Sequence, residues 1–383
     1  MECKASEFQL DPSVTFLNAA YMSPLMRRVE EAGMAGLRLK RNPHQIGNEQ
    51  FFEDVRRVKQ QFAALIDAPD PGRVALVPSV SYGLGSVAQN LNMKAGDEIV
   101  VAGEQFPSNV YPWMRVANES GGQLRMVKPP PAHRERGKQW NERILEAINP
   151  KTRLVAIGHV HWADGTRFAL SDIRARTRDV DALLVIDGSQ SIGALPFSVR
   201  ELQPDAVVTA AYKWLLGPYG IGLGWYSAAF DDGKPMEENW MNRQGSEQFQ
   251  NLVNYTGTYQ HGAQRYEVGE RSNFILLPML REALTVLNEW GVDSIQSYCR
   301  DLLPDFIHRI KEHGWIIEDE AWRPAHLFGI RPPDGEIPQS LKERINKAQI
   351  SVSYRGDAIR VSPSVYNRED ELITLAAVLL NGQ

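Results

Sequence analysis

The sequence predicts an α/β protein with a mainly parallel central sheet. Short apolar runs recur along the chain and end in polar or turn residues, as in residues 182–187 and 206–213. Runs of this kind are typical of buried strands, and the buried strands of α/β proteins run parallel to one another. Segments with helical periodicity separate these runs, as in residues 49–66. Strands that alternate with helices in this way predict a sheet covered by helices.

Strand and helix patterns follow one another from the N-terminus. The expected strands begin at residue 15 and then cover residues 73–78, 98–103, 153–158, 182–186, 206–211 and 221–227. The expected helices between them are one that ends near residue 40 and those of residues 49–66, 79–91 and 140–148. Later patterns predict helices over residues 274–288, 292–313, 339–348 and 370–380, and strands over residues 315–318, 326–331 and 350–354.

These patterns predict two domains. We expect a large domain over residues 15–280 and a smaller C-terminal α/β domain over residues 281–383, which the N-terminal residues 1–14 join. A chain of 383 residues is long enough to bury a sizeable core in each of them.

Composition and charge indicate an ordinary globular protein. The chain is 43% hydrophobic and 23% charged, and its formal net charge of −5 argues against a nucleic-acid partner. No apolar run approaches the ~20 residues that a membrane-spanning helix needs. Residues 1–10 also lack the apolar core of a signal peptide. Cys3 and Cys299 are the only cysteines, so we expect no disulfide framework and a reducing compartment. Together these features predict a cytoplasmic protein without a membrane partner.

Two of the expected strands end in a single charged side chain each. Asp187 follows the run of residues 182–186, and Lys213 follows the run of residues 206–211. Ligands of parallel sheets bind outside the carboxyl ends of the strands, where both charges would emerge. A surface salt bridge is the simpler interpretation. Pyridoxal phosphate chemistry is the other, because it needs a lysine for the Schiff base and a carboxylate beside the pyridinium nitrogen.

The residues around these two charges resemble a known family. The pattern D-G-x-Q begins at Asp187, and K-x-x-x-G-P-x-G-x-G begins at Lys213. Both are similar to motifs of the class V aminotransferase family, which includes cysteine desulfurases, kynureninase and isopenicillin N epimerase. The resemblance implies the three-layer fold-type I architecture and pyridoxal 5'-phosphate as cofactor. It also implies that Lys213 forms the internal aldimine, that Asp187 binds the ring nitrogen and that Gln190 contacts the cofactor.

Other positions of the cofactor site follow from the same resemblance. The helix expected from residue 79 begins with small and hydroxyl residues, whose free N–H groups can bind phosphate, so Val80 and Ser81 are candidates. The resemblance places Phe106 on the face of the cofactor ring and Trp162 where desulfurases carry an asparagine. It also directs the hydroxyl of Tyr212 towards the phosphate.

Segments further along the chain resemble the partner-subunit and substrate contacts of the family. The R-Y-E-V-G segment that begins at Arg265 implies a homodimer with shared active sites, in which Gly269 and Ser272 reach the partner's cofactor. The R-V-S-x-x-x-Y-N segment implies that Arg360 binds the α-carboxylate of an amino-acid substrate, with Arg355 as a second candidate. The loop that contains Tyr21 would form a wall of the substrate pocket.

The reaction itself stays open at the level of sequence. Residues 351–362 contain no cysteine, which argues against the persulfide chemistry of desulfurases. We expect an aminotransferase or a lyase that acts on the α-carbon of an amino acid. An epimerase of the same family and a catalytically inactive binding or regulatory protein are the alternatives. His159 and His161 share a strand face but lack a third ligand nearby, so we predict no metal site.

Overall fold

The computed structural model describes residues 1–132 and 135–380. Its strands are β1 (Thr15–Phe16), β2 (Val74–Val77), β3 (Glu98–Ala102), β4 (Gln123–Val127), β5 (Thr152–Gly158), β6 (Leu183–Asp187), β7 (Ala206–Ala210), β8 (Gly222–Tyr226), β9 (Ile316–Ile317), β10 (Phe328–Arg331), β11 (Ile350–Ser351), β12 (Ser353–Arg355) and β13 (Ala358–Val361). Its α-helices are α1 (Arg27–Leu39), α2 (Glu53–Leu65), α3 (Val80–Asn90), α4 (Tyr111–Ser120), α5 (Arg136–Ala147), α6 (Leu170–Asp179), α7 (Val199–Leu202), α8 (Leu276–Trp290), α9 (Val292–Asp301), α10 (Pro304–Glu312), α11 (Gln339–Lys347) and α12 (Glu369–Leu380).

The central sheet has seven strands in the order β2-β8-β7-β6-β5-β3-β4. Strands β3 to β7 pair in parallel, whereas β8 is antiparallel to both of its neighbours. Because β8 is antiparallel to β2 and to β7, those two strands point the same way. Their carboxyl ends therefore lie on the same edge of the sheet as those of β3, β5 and β6, which confirms the prediction of a mainly parallel sheet.

Helices cover both faces of this sheet. Successive strand residues alternate between two hydrophobic clusters, one on each face. The first cluster packs against α1, α2, α5, α6 and α8 and contains Val100, Val155, Leu184 and Val207. The second packs against α3 and α4 and contains Val101, Ala156, Val185 and Val208. The sheet is therefore the middle of three layers, as expected.

A second, smaller sheet lies in the C-terminal part of the chain. Its four strands are antiparallel, in the order β12-β13-β10-β9. A separate hydrophobic cluster packs α9 to α12 against it. Near the N-terminus, β1 pairs in parallel with β11, and the N–H of Lys4 donates to the carbonyl of Val365 at 2.7 Å. The domain boundary expected at residue 280 falls inside α8 and stays a prediction, and residues 381–383 of the expected second domain lie outside the described residues.

One expected helix is interrupted. The pattern of residues 292–313 predicts a single helix, but the structure has α9, which ends at Asp301, and α10, which begins at Pro304. Proline has no N–H to donate, so it is favoured in the first turn of a helix and disrupts the interior. Within the described ranges, every helix is too short or too polar to span a lipid bilayer.

Candidate active site

A cavity of about 250 Å³ lies at the carboxyl edge of the central sheet. Residues that follow β2, β3, β5, β6 and β7 form most of its wall, as expected for a ligand site of a parallel sheet. The polar and aromatic residues that line it are Ser79, Ser81, Gln105, Phe106, Ser108, Asn109, His161, Trp162, Phe168, Asp187, Ser189, Gln190, Tyr212, Lys213 and Tyr219. Val80 lines it as well.

Lys213 lies just beyond β7 with its amine in this cavity. Its side chain is buried, and the amine makes no hydrogen bond or ion pair with any described residue. Nζ lies 5.6 Å from the centre of the Phe106 ring and 5.5 Å from the centre of the Tyr212 ring. The pKa of Lys213 is lowered to about 8, mainly by burial; the positive charges of Arg360 and Arg355 also lower it, whereas Asp187 raises it. A larger fraction of this amine is therefore neutral, and so able to react, than for a lysine with an ordinary pKa.

Asp187 is the last residue of β6 and lies beside Gly158 of β5 in the sheet. One of its carboxylate oxygens accepts a hydrogen bond from the N–H of Ser189 at 3.0 Å. It is half-buried and lines the cavity. The carboxylate is therefore held in place and keeps acceptor capacity for a ligand.

Gln190 is fixed by hydrogen bonds on both sides of its amide. Its nitrogen donates to the carbonyl of Ala20 at 3.1 Å, and its oxygen accepts from the indole of Trp214 at 3.0 Å. Nε2 of His326 donates to its backbone carbonyl at 2.8 Å. Gln190 therefore joins the loop at Ala20 to the segment that carries Lys213, and one of its two amide hydrogens is left for a ligand.

The N-terminus of α3 forms part of the cavity wall. Ser79 caps this helix, because its hydroxyl accepts from the N–H of Tyr82 at 3.2 Å. The hydroxyl of Ser81 lies 2.9 Å from that of Ser79. The N–H groups of Val80 and Ser81 have no acceptor among the described residues. Free N–H groups, a hydroxyl and the positive end of the helix dipole suit a phosphate.

Aromatic side chains form the sides of the cavity. The rings of Phe106 and Trp162 meet edge to face at 5.5 Å, and the indole of Trp162 donates to the carbonyl of Glu104 at 2.7 Å. Tyr212 packs on Tyr219 with a centroid distance of 4.6 Å, and burial raises the pKa of Tyr212. Phe106 is 39% exposed, so its ring has an open side next to Lys213.

Arg360 and Arg355 lie on the hairpin of β12 and β13, behind Trp162. Arg360 is only 1% exposed and donates to the carbonyl of Trp162 at 2.7 Å and to the hydroxyl of Ser353 at 3.3 Å. Burial, together with a smaller effect of the neighbouring Arg355, lowers the pKa of Arg360 to about 9. Neither arginine is within 4.0 Å of a carboxylate of any described residue. Buried guanidinium groups without a carboxylate are expected where an anionic ligand binds.

Three other predicted residues do not line the cavity. Tyr21 is 58% exposed, on the loop next to Tyr212. The N–H of Gly269 donates to the carboxylate of Glu237, and the hydroxyl of Ser272 donates to the carbonyl of Phe51. Gly269 and Ser272 therefore contact a different region of their own chain, and their contact with a partner's cofactor stays a prediction.

Sequence reasoning missed several residues of the cavity wall. Gln105 donates to the carbonyls of Asn109 and Ala156, at 2.8 and 3.2 Å, and so shapes the loop after β3. The hydroxyl of Ser189 accepts from the N–H of Ala210 at 3.3 Å and joins the ends of β6 and β7. Both residues follow a buried strand within a few positions, and that was the available signal. Tyr219 carried no sequence signal other than its position in the glycine-rich turn.

Comparison with known proteins identifies the family of the chain. The family model described as Aminotransferase class-V matches residues 29–370. The chain is 26% identical over 326 residues to an uncharacterized aminotransferase, YcbU, of Bacillus subtilis, covering 85% of this chain and 82% of the relative. It is 26% identical over 391 residues to the isopenicillin N epimerase of Amycolatopsis lactamdurans, covering 97% of this chain and 96% of the relative.

Solved structures of cysteine desulfurases have the same fold. The apo enzyme of Thermococcus onnurineus superposes with a TM-score of 0.82 at 19% identity and covers 99% of this chain and 98% of its own. CsdA of Escherichia coli superposes with a TM-score of 0.79 at 17% identity and covers 98% of this chain and 96% of its own. The predicted fold-type I architecture is thus confirmed. The predictions of an enzyme and of pyridoxal phosphate as its cofactor are confirmed with the family. The chain belongs to the class V aminotransferase family.

Proposed function

We propose that this chain is a pyridoxal phosphate enzyme of the aminotransferase or lyase type that acts on the α-carbon of an amino acid. The observation that carries the proposal is the buried amine of Lys213, which has no hydrogen-bond or ion-pair partner among the described residues and faces the cavity. A charged amine would not be left buried and unpaired for stability, because desolvation makes it unfavourable. A reactive role accounts for its position.

The residues around Lys213 fit the cofactor. The N–H groups of Val80 and Ser81 and the hydroxyl of Ser81 suit its phosphate, and the carboxylate of Asp187 suits its ring nitrogen. Phe106 offers an open aromatic face for the ring. When bound, pyridoxal phosphate delocalises the electron pair left at the substrate α-carbon.

Lys213 would hold the cofactor and then act as the base. With a pKa of about 8, a substantial part of its amine is neutral near physiological pH and able to accept a proton from the α-carbon. Asp187 would hold a proton on the ring nitrogen through its carboxylate. The same proton on Lys213 can afterwards be returned to a different atom, and this choice distinguishes an aminotransferase from an epimerase.

Arg360 would hold the substrate by its α-carboxylate. Two of its nitrogens are fixed by Trp162 and Ser353, so the planar group is oriented before a ligand binds. Its Nε has no hydrogen-bond partner among the described residues. A guanidinium can donate two parallel hydrogen bonds to a carboxylate, which gives both charge and orientation.

Persulfide chemistry is not part of this proposal. A tight hairpin with no cysteine occupies residues 353–361. Burial raises the pKa of the Cys299 thiol to about 12, so it is a poor nucleophile. Cys3, the other cysteine, lies against the backbone carbonyls of Tyr366 and Asn367.

We also propose that the enzyme is a cytoplasmic homodimer with shared active sites. Large aromatic side chains are exposed next to the cavity, including Tyr219 at 67% and Tyr111 at 64%. Exposed apolar groups of this size are common where a second chain packs. Both cysteines are free thiols, which suits a reducing compartment.

The test is to purify the protein with added pyridoxal phosphate and record its visible absorbance. The wild type should show the band of a lysine-bound cofactor, and Lys213→Ala should lose it, while exposed Lys151→Ala keeps it as a matched control. Borohydride reduction followed by mass spectrometry should locate the cofactor on the peptide that contains Lys213. A wild type without the band, or a label on another lysine, would refute the assignment. A panel of amino acids, assayed for keto-acid and ammonia release, then identifies the reaction.

A further inference from the structure

We propose that the substrate is an amino acid with a second carboxylate at the end of its side chain, and that Arg355 binds this carboxylate. The proposal rests on the proposed function, in which Arg360 binds the α-carboxylate. The assignment of Arg355 follows from the register of the hairpin of β12 and β13, from the charges around this hairpin and from the position of the hairpin behind the cavity wall.

The register of β12 and β13 places both arginines on one face. Ser353 lies opposite Arg360, and Arg355 lies opposite Ala358. Residues two apart on a strand share a face, and so do residues directly opposite on neighbouring strands. Arg355, Ser353 and Arg360 therefore point to the same side, and the hydrogen bonds of Arg360 identify that side as the one towards Trp162.

No carboxylate of the described residues neutralises this pair of cations. Asp357 is the acidic residue of the hairpin turn, and it is engaged by Nε of Arg331 at 2.8 Å. Arg331 also contacts Asp164, so that carboxylate is engaged as well. Among the described residues, Arg355 donates only to its neighbouring backbone, the carbonyl of Tyr354, at 2.8 Å, and its Nε has no hydrogen-bond partner there.

Both guanidinium groups contact Trp162, a residue of the cavity wall. The guanidinium of Arg355 lies 5.3 Å from the centre of the Trp162 ring, and the ring of Phe106 lies 5.5 Å from it. Arg360 reaches the backbone carbonyl of the same tryptophan. Phe106 is next to Lys213, so successive contacts of Phe106 and Trp162 connect Lys213 to Arg355.

A substrate with one carboxylate would leave one positive charge of this site without a counter-ion. Its α-carboxylate would neutralise Arg360, while the half-buried Arg355 would keep a positive charge without a counter-ion. A second carboxylate on the side chain would pair with it through two charge-assisted hydrogen bonds. A role limited to packing on Trp162 is the competing explanation, and it predicts no preference for acidic side chains.

The test compares acidic amino acids with their amides on the cofactor-loaded enzyme. Affinities for aspartate, asparagine, glutamate and glutamine are measured from the change in cofactor absorbance. The wild type should bind at least one acid about tenfold or more tightly than its amide. Arg355→Gln should remove that preference without weakening amide binding, and Arg355→Lys should keep part of it. The surface charge variant Arg309→Gln should behave as the wild type does.

A second measurement does not depend on the cofactor. Calorimetry with the cofactor-free protein compares glutarate with its monoamide, and the preference for glutarate should again disappear in Arg355→Gln. The absence of any acid preference in the wild type overturns the proposal, and so does an Arg355→Gln variant that weakens acids and amides equally. If no amino acid changes the cofactor absorbance while the binding of glutarate still depends on Arg355, the proposed function fails and the binding site for a second carboxylate stands.

Discussion

The pKa of Lys213 provides the sharpest test of how the site works. Burial is the main cause of its low pKa, and three charges modify it: Asp187 raises it, and Arg360 and Arg355 lower it. Removing one charge at a time should therefore shift the pKa in a known direction. Arg360→Gln should raise it, and Asp187→Asn should lower it.

The size of the effect follows from the structure. The pKa of Lys213 falls from 10.5 to about 8, which corresponds to about 3 kcal/mol of preference for the neutral amine. Near pH 7.5, roughly a quarter of the Lys213 amines are then neutral, compared with about one in a thousand for a lysine with an ordinary pKa. The surroundings of Lys213, with burial as the main cause, therefore raise the neutral fraction of the amine by about two orders of magnitude.

The assay is an NMR titration of the cofactor-free protein after reductive methylation of its lysines with labelled formaldehyde. The Lys213 signal is assigned by its absence in Lys213→Arg. Arg309→Gln, which removes a charge from the surface of α10, should leave the midpoint unchanged. A Lys213 midpoint at the ordinary lysine value would refute the burial argument. A higher Lys213 midpoint in Asp187→Asn would contradict the argument that the charge of Asp187 raises the pKa of Lys213.

The same pKa has a consequence for stability. Between about pH 8 and 10.5, an unfolded chain keeps a proton on this lysine that the folded chain has lost. The contribution of Lys213 to the free energy of unfolding therefore rises with pH across this window, and it is unfavourable below it. In urea denaturation of the cofactor-free protein, Lys213→Met should remove this rise, and a difference between variant and wild type that does not change with pH would contradict the reasoning.

Two further predictions concern the rest of the molecule. Asp164→Asn should lower the free energy of unfolding by about 3–5 kcal/mol in urea titrations, because it leaves the buried Arg136 and Arg331 without their shared carboxylate. The exposed control Asp305→Asn should cost less than about 1 kcal/mol, and equal losses would contradict the role of burial. For the homodimer, light scattering should give the mass of two chains, and cofactor affinity should fall on dilution if both chains build each site. A monomer with full cofactor affinity would refute shared sites.

Much of the central sheet could be predicted because its strands are buried on both faces. Strands such as β6 and β7 are continuous apolar runs, and their ends are marked by Asp187 and Lys213. Strand β4 (Gln123–Val127) has no such signature, because it lies at the edge of the sheet and most of its side chains are exposed. It was not predicted. The interruption of the helix expected over residues 292–313 was readable at Pro304, but the helical periodicity continues past it.

The candidate site was predictable in its chemistry and less so in its connections. Eight of the predicted cofactor residues line one cavity, because each lies at or beyond the carboxyl end of a strand and these ends share one edge of the sheet: Val80, Ser81, Phe106, Trp162, Asp187, Gln190, Tyr212 and Lys213. The bonds of Gln190 to Ala20 and Trp214 join distant segments, and nothing local in the sequence indicates them.

By itself, the sequence determined the family and the cofactor and predicted the lysine of the site, because these depend on short motifs placed at the ends of strands. The tertiary structure decided which charges are left without a partner. Asp357 is two residues from Arg355 in the chain, yet the fold directs it to Arg331. Charge balance depends on distances across the fold rather than along the chain, so only the folded structure distinguishes an arginine that stabilises the protein from one that is free to bind a substrate.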